Sequence, residues 1–231
     1  MLNFYEKIIE KEHTFVILYN KILIKMKACV MMNFNAYDLV SHLVPGYLIV
    51  FYFRNWLGIE LKDIGSLAIV AIAFALGFFV QTLASWFEDV LFFTWGGKPS
   101  TMLLKGKQIW KVRFHSWKDA RESLILETSE NSNEDQMFEV AQRVVNAKKL
   151  DRVGSFNALY AFTRVMVITF LLILISRFFE KVINWKEIVI FSLLIIITWV
   201  RAKQRGYYFA REVLSGYLNE KVKKTGGEIN A

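Results

Sequence analysis

Six polar or ionisable side chains interrupt the apolar stretches of this 231-residue chain: Asp38, His42, Gln81, Glu88, Asp89 and Arg164. Asp38 and His42 are four residues apart, so a helix would place both on one face. Arg164 is the basic residue that lies well inside an apolar stretch. Because an isolated charge in hydrocarbon is costly, we expect Arg164 to pair with Glu88, Asp89 or Asp38. We interpret the six side chains as one polar cluster.

This cluster admits three interpretations: a structural ion pair, a functional polar cavity or gate, and an active site. The active site is the least favoured, because no second carboxylate or nucleophile has a recognisable catalytic spacing. We therefore predict that the protein is not an enzyme and has no catalytic residue. The structural ion pair is the favoured interpretation.

Cofactor and metal sites are not predicted either. Cys29 is the only cysteine, which excludes an intrachain disulfide, and the three histidines are widely separated. The segment around Lys98 superficially resembles a phosphate-binding loop. That pattern needs glycine at position 92 and serine or threonine at position 99, where the chain has Phe92 and Pro99. We interpret this segment as a turn.

Apolar stretches indicate the elements that position these groups. Residues 66–87 form 22 consecutive positions without a charged side chain, and roughly 20 suffice to cross a bilayer as a helix. The stretch is apolar on every face, unlike a barrel strand. We predict an all-α, multi-pass membrane protein with four transmembrane helices. The predicted spans are residues 37–56, 66–93, 155–178 and 185–200.

The predicted organisation has five segments. Residues 33–95 hold the first two spans, 96–154 form a small helical cytosolic insertion, 155–200 hold the last two spans, and 201–231 form a basic cytosolic tail. Residues 1–32 are either an amphipathic interfacial helix or an extension upstream of the true start, because Met31 and Met32 immediately precede the membrane segment. Within the insertion we predict one helix from Ser116 to Glu127 and another over residues 137–150.

Small residues recur on the second predicted span. Ala68, Ala71 and Ala75 share one side, and Gly77 forms a small-xxx-small pair with Ala73. Such faces let helices approach closely. Two uses remain open for them: packing within the chain, and association between copies. We expect a homo-oligomer, since four helices alone enclose little more than their own side chains.

Charge distribution predicts the orientation. The formal net charge is +8, and lysine and arginine concentrate in residues 96–154 and 201–231. Basic residues accumulate on the cytosolic side of membrane proteins and meet anionic headgroups there. We predict that both termini are cytosolic, which places the polar cluster in the cytosolic half of the bilayer. Interleaved aromatic residues also suit nucleic acid, but lipid is the favoured partner.

Two segments carry a resemblance. Residues 151–164 (DRVGSFNALYAFTR), and residues 35–38 (NAYD) followed by Pro45 and Gly46, resemble bacterial four-pass membrane proteins. The resemblance covers most of residues 33–205. Proteins of this build occur as membrane components of phage-defence systems, so the resemblance implies that role. The resemblance also implies a location in the bacterial inner (plasma) membrane, and no established activity comes with it.

Together these features predict a membrane-embedded effector or anchor subunit of a bacterial antiviral defence system. On this hypothesis a cytosolic protein partner engages the insertion, and the oligomerised spans then perturb the membrane. The alternative is a small oligomeric channel or transporter with a housekeeping substrate.

Overall fold

The fold is all-α. The computed structural model describes residues 36–54, 65–109, 111–128, 132–179 and 184–228. Within these ranges there is no strand, and the sole β feature is an isolated bridge between Ile109 and Val112. The predicted N-terminal segment 1–32 lies outside the described residues. The contacts given below all belong to the unit Val40–Ala231.

Two apolar helices, α1 (Ala36–Phe53) and α2 (Ser66–Trp86), come first. Pro45 lies inside α1 without ending it. Glycine lets the two backbones meet at one crossing point. A Cβ on Gly46 would overlap the carbonyl oxygen of Ala73, and a Cβ on Gly77 would overlap that of His42. Only glycine at these two positions permits so close a crossing.

The second predicted span is interrupted at its end. α2 stops at Trp86, Phe87 caps it, and a short helix α3 (Glu88–Trp95) follows. Gly96 and Gly97 then adopt positive φ angles of 85° and 132°, which terminates α3 in the left-handed conformation that glycine tolerates best. The predicted turn is therefore present, but the helical stretch before it is divided into α2 and α3.

Three short helices follow: α4 (Pro99–Leu104), α5 (Trp117–Glu127) and α6 (Glu134–Ala147). The bounds of α5 match the prediction, but Ser116 makes no side-chain capping bond. α6 begins with a capping box between Asn133 and Gln136, so it starts three residues before the predicted start at residue 137. α6 also ends at Ala147 instead of extending to residue 150, because Lys149 adopts a positive φ of 49°.

The last two helices form a long hairpin. α7 (Asp151–Phe178) and α8 (Trp185–Glu228) have 28 and 44 residues, so they are about 42 and 66 Å long. Residues 201–228 therefore continue the helix that begins in the fourth predicted span.

The described helices form three hydrophobic clusters, and the smallest, which includes Leu91, Trp95 and Tyr160, lies where α3 meets α7 and α8. The apolar bundle consists of α1, α2, α7 and residues 185–200 of α8, and its buried residues include Val80, Ile173 and Phe191. The helical domain consists of α4, α5, α6 and residues 201–228 of α8, with Leu124 and Tyr217 fully buried in it. The predicted insertion and the predicted tail thus share one core.

Among the described residues, two helical segments are long and apolar enough to cross a membrane, residues 67–86 of α2 and all of α7. Only 22% of the residues in the most apolar window of α2 are buried, against 50% for α7. Leu67, Phe78 and Phe79 are each more than half exposed. The core helix of a water-soluble fold is mostly buried, so the low burial of α2 differs from that of such a helix. α1 has a shorter apolar stretch, Ser41–Phe53.

Candidate functional site

The best-defined polar arrangement lies where the apolar bundle meets the helical domain. Glu88 is the first residue of α3, directly after the break at Phe87. A carboxylate is stabilised at a helix N-terminus, because the first N–H groups of the helix have no intrahelical partner. The break in the second predicted span therefore places this acid at the edge of the apolar bundle.

Arg164 on α7 faces this acid. Its side chain is only 10% exposed, and its Nη1 lies 2.6 Å from Glu88 Oε2. Its Nη2 donates a hydrogen bond of 3.2 Å to the hydroxyl of Ser85 on α2. The ion pair joins α7 to α3, which are distant in sequence. It agrees with the prediction that Arg164 pairs with one of three candidate acids.

Tyr160 completes the arrangement. It lies one turn before Arg164 on α7, and its hydroxyl donates a hydrogen bond of 2.6 Å to Glu88 Oε1. Its ring lies 5.5 Å from the Arg164 guanidinium carbon, within cation–π distance. Each oxygen of Glu88 is therefore engaged, one by each partner. We refer to Glu88, Tyr160 and Arg164 as the junction triad.

A cleft of about 290 Å³ opens beside the junction triad. Its lining includes three carboxylates, Glu88, Asp135 and Glu139, and four aromatic side chains, Phe92, Phe138, Tyr160 and Phe209. Lys98 also lines it, and Gly206 leaves part of the wall without a side chain. Ligand sites of proteins combine apolar walls with a few convergent polar groups in this way, at boundaries between domains.

Lys98 and Asp135 form an ion pair on the cleft wall. Lys98 Nζ lies 2.6 Å from Asp135 Oδ2, and the Thr101 hydroxyl donates 3.0 Å to Asp135 Oδ1. The hydrogen bond with Asp135 raises the pKa of Lys98 above its ordinary value. The hydrogen bonds from Lys98 and Thr101 hold the pKa of Asp135 below its ordinary value. Both side chains are therefore charged at neutral pH.

The other members of the predicted polar cluster do not join the triad. His42 is buried on α1, where its Nδ1 is 3.3 Å from the Ser41 hydroxyl and its ring stacks on Phe78. It packs at the level of Gly77, which is eleven residues, or about 16 Å, before Glu88 along α2. Asp89 is exposed. The side chain of Asp38 lies outside the described residues.

Gln81 is the remaining member. Its Oε1 is buried and has no hydrogen-bond partner among the described residues, and the same holds for Arg164 Nε and Trp95 Nε1. Buried polar atoms usually have a partner in the protein or an ordered water. Each of these atoms could form a hydrogen bond with a further polar group.

The predicted small-residue face divides into two. Gly77 is buried at the crossing with α1, together with Ala73. Ala68, Ala71 and Ala75 are exposed on the opposite side of α2. Packing within the chain therefore uses Gly77, while the three alanines do not take part in it.

A second arginine site was missed by sequence reasoning. Arg177, at the far end of α7, donates 3.2 Å to the carbonyl oxygen of Tyr52 and lies 3.5 Å from Glu187 on α8. Tyr52 is in the last turn of α1, where carbonyl groups lack intrahelical partners. The sequence could have indicated this pair, because Arg177 and Glu187 lie on either side of the turn between α7 and α8. Tyr160 was missed too, although its spacing of four from Arg164 indicated a shared face.

These groups can hold and orient charge, but they show no arrangement of a nucleophile and a base. Within the described ranges, no group of three or more His, Cys, Asp or Glu side chains could hold a metal ion. No protein-family model, curated protein or solved structure matches this chain.

Proposed function

We propose that this protein is a four-span protein of the bacterial inner membrane, with both termini in the cytosol. The two apolar helices and the exposed apolar surface of α2 support a membrane location. Trp86 and Trp185 are 72% and 69% exposed near helix ends, which suits the headgroup region. α1 and residues 185–200 of α8 supply the two remaining spans on this proposal.

Within the membrane, the proposed role is that of an effector or anchor subunit of a defence system. One observation carries this role: α8 runs without interruption from the apolar bundle into the core of the helical domain. A partner that shifts the helical domain would displace α8 as a rigid rod. The same displacement would reach the spans, because helices transmit motion along their axis.

The proposed partners follow from the exposed surfaces. The basic helical domain contacts anionic headgroups and a cytosolic protein partner. A second copy of the chain contacts the outer face of α2, where Ala68, Ala71 and Ala75 are exposed and permit close helix approach. Nucleic acid is not part of the proposal.

The test of this role measures membrane potential. Cells expressing the protein together with the activated product of a neighbouring gene should depolarise within minutes, as reported by a potential-sensitive dye. Ala71→Leu or Ala75→Leu should reduce the response, because the added side chain separates copies without a clash inside the chain. Val70→Leu, at an exposed neighbouring position, is the matched control. An unchanged potential in the triggered wild type would argue against the effector role.

The orientation has its own test. Single cysteines replace Lys186 and Glu122 in a Cys29→Ser background, and an impermeant maleimide is added to intact cells. The cysteine at Lys186 should react, while the one at Glu122 on α5 should react only after the membrane is opened. Labelling of the Glu122 position in intact cells would exclude the proposed topology.

A channel or transporter is the second candidate. It is favoured by the buried polar atoms of Gln81 and Arg164 that lack partners among the described residues, and by the cleft at the edge of the apolar bundle. Uptake of a specific solute by the purified protein in vesicles, with no depolarisation on triggering, would favour this candidate over the effector.

A further inference from the structure

The cleft beside the junction triad has a chemical character that differs from the rest of the chain. The whole protein has a formal charge of +8. The cleft lining instead has three carboxylates, Glu88, Asp135 and Glu139, and a single lysine, Lys98. The lining is therefore less basic than the rest of the protein, although each of these carboxylates has a basic partner within the chain.

One face of α6 supplies much of this lining. Asp135, Phe138, Glu139 and Gln142 all border the cleft, at helical spacings of three and four residues. Such spacing places side chains on one side of a helix. Another side of α6 packs into the helical domain through the buried residues Met137, Ala141 and Val145. α6 therefore presents two carboxylates with an aromatic ring between them to the cleft.

The carboxylates that line the cleft differ in how firmly their oxygens are held by partners within the protein. Both oxygens of Glu88 are occupied by Arg164 and Tyr160. Glu139 pairs with Arg143 at 2.6 Å, but these side chains are 61% and 72% exposed. Ion pairs so exposed contribute little, because water competes for both charges. Glu139 can therefore exchange Arg143 for a ligand at small cost.

The aromatic side chains supply the second component of the site. Phe92, Phe138, Tyr160 and Phe209 line the same cleft as the carboxylates. Aromatic faces attract cations, and combinations of rings with acids recognise alkylated ammonium groups. Lys98 shows that the cleft accommodates an ammonium group, since its Nζ lies 2.6 Å from Asp135.

Lys98 and Thr101 already occupy both oxygens of Asp135. From the remaining groups we propose that the cleft binds an organic ammonium group through Glu139 and Phe138. The ammonium group belongs either to a free solute, such as a choline-like amine, or to the headgroup of a membrane lipid. Gly206 keeps the cleft open, since a Cβ there would lie 3.2 Å from both Pro99 Cγ and Tyr160 Cε2. The site is independent of the effector role proposed above.

The test measures choline binding to the full-length protein by titration calorimetry. The protein is purified in a maltoside detergent, which contains no ammonium group. Choline should bind, and its neutral carbon isostere dimethylbutanol should bind at least tenfold more weakly. Glu139→Gln and Phe138→Leu should each weaken choline binding about threefold to tenfold, the range expected for a cation–π or charge contact.

Matched controls separate the cleft from the general surface. Glu122→Gln and Phe93→Leu change exposed residues outside the cleft lining and should leave choline affinity unchanged. Thermal unfolding of each variant without ligand checks that the fold is retained. Undetectable choline binding, equal binding of the neutral isostere, insensitivity to both cleft variants, or preferential binding of inorganic phosphate would each overturn the proposal.

A second arm distinguishes the two sources of the ammonium group. Choline is titrated into the protein in nanodiscs of phosphatidylglycerol and in nanodiscs that contain phosphatidylethanolamine. Weaker apparent choline affinity in the second bilayer, with the difference removed by Glu139→Gln, supports a lipid headgroup as the occupant. Equal affinity in both bilayers supports a free solute.

Discussion

Gly46 on α1 lies directly against the backbone of Gly77 on α2: a Cβ added to Gly46 would be 2.7 Å from the Gly77 nitrogen. Gly77 itself faces the α1 backbone one turn before Gly46, since a Cβ added to Gly77 would be 2.9 Å from the Cα of His42. Small residues are the usual means by which apolar helices approach so closely. The crossing brings the backbones of α1 and α2 into direct contact.

Alanine at these glycines should therefore be strongly destabilising. Gly77→Ala forces the helices apart and should lower the free energy of unfolding by about 2–3 kcal/mol, as overpacking does. Gly154→Ala is the matched control, because nothing lies within 4 Å of its Cβ position and alanine favours helix. Thermal unfolding in detergent should show Gly154→Ala equal to or above wild type. Equal stability of the Gly77 and Gly154 variants would contradict the crossing.

The Arg164–Glu88 pair should show strong coupling. Arg164→Met leaves the Glu88 carboxylate without its buried partner and should cost about 3 kcal/mol. Combining it with Glu88→Gln should recover part of that loss, measured as a double-mutant cycle. The exposed neighbour provides the comparison: Asp89→Asn should change stability by less than about 0.5 kcal/mol and show no coupling to Arg164. Additive effects of the Arg164 and Glu88 changes would exclude the pairing.

Tyr217 should anchor the helical domain through its hydroxyl. The side chain is fully buried, and the hydroxyl donates to Glu127 Oε2 at 3.0 Å. Burial raises the pKa of Tyr217, and the hydrogen bond to the Glu127 carboxylate raises it further. Tyr217→Phe should therefore cost about 1–2 kcal/mol, since it removes a bond to a charged group. Tyr208→Phe, whose exposed bond to the Lys111 carbonyl is 3.3 Å long, should cost clearly less in the same unfolding assay.

The Lys98–Asp135 pair predicts a specific pH dependence. The pKa of Asp135 is lowered from 3.8, so its contribution to stability is present above pH 3.8 and is lost as the pH falls through the folded-state value. The pKa of Lys98 is raised from 10.5, so its contribution is present below pH 10.5 and is lost at higher pH. Both side chains are nearly half exposed, which limits the effect to about 0.2–1 kcal/mol.

Asp135→Asn tests this dependence. The variant should be slightly less stable than wild type at pH 7, and the difference should disappear below pH 3.8, where the wild-type carboxyl becomes protonated. Unfolding midpoints measured across this range give the comparison. A difference that grows as the pH falls would have the wrong sign for a lowered pKa.

The sequence predicted that the elements are helices and predicted several of their boundaries. Interactions between residues close together in the chain determine both. The glycine turn at Gly96 and the span of α5 depend on neighbouring residues alone. The sequence could not show that residues 201–228 complete the core of α4 to α6, because that depends on contacts about 100 residues apart. It also treated the tail as a separate segment, since its charged residues conceal the buried positions Val213 and Tyr217.

The candidate site was predicted only in part, for a similar reason. Arg164 was recognisable, because a charge inside an apolar stretch needs a partner. Arg164 pairs with Glu88 and not with Asp89 because the break at Phe87 sets the orientation of α3. No residue pattern in the sequence predicts that break. His42 was assigned to the same cluster, but the glycine crossing places it about 16 Å along α2 from Glu88.

The shared core of the helical domain imposes an order on biosynthesis. α4, α5 and α6 leave the ribosome first, but Tyr207, Leu214 and Tyr217, against which they pack, follow about 60 residues after the end of α6. Domains fold as units during synthesis, and contacts between distant residues form late. The helical domain is therefore finished only after α7 and the apolar start of α8 have been made. We therefore expect a chain truncated within residues 185–200 to lack a folded helical domain.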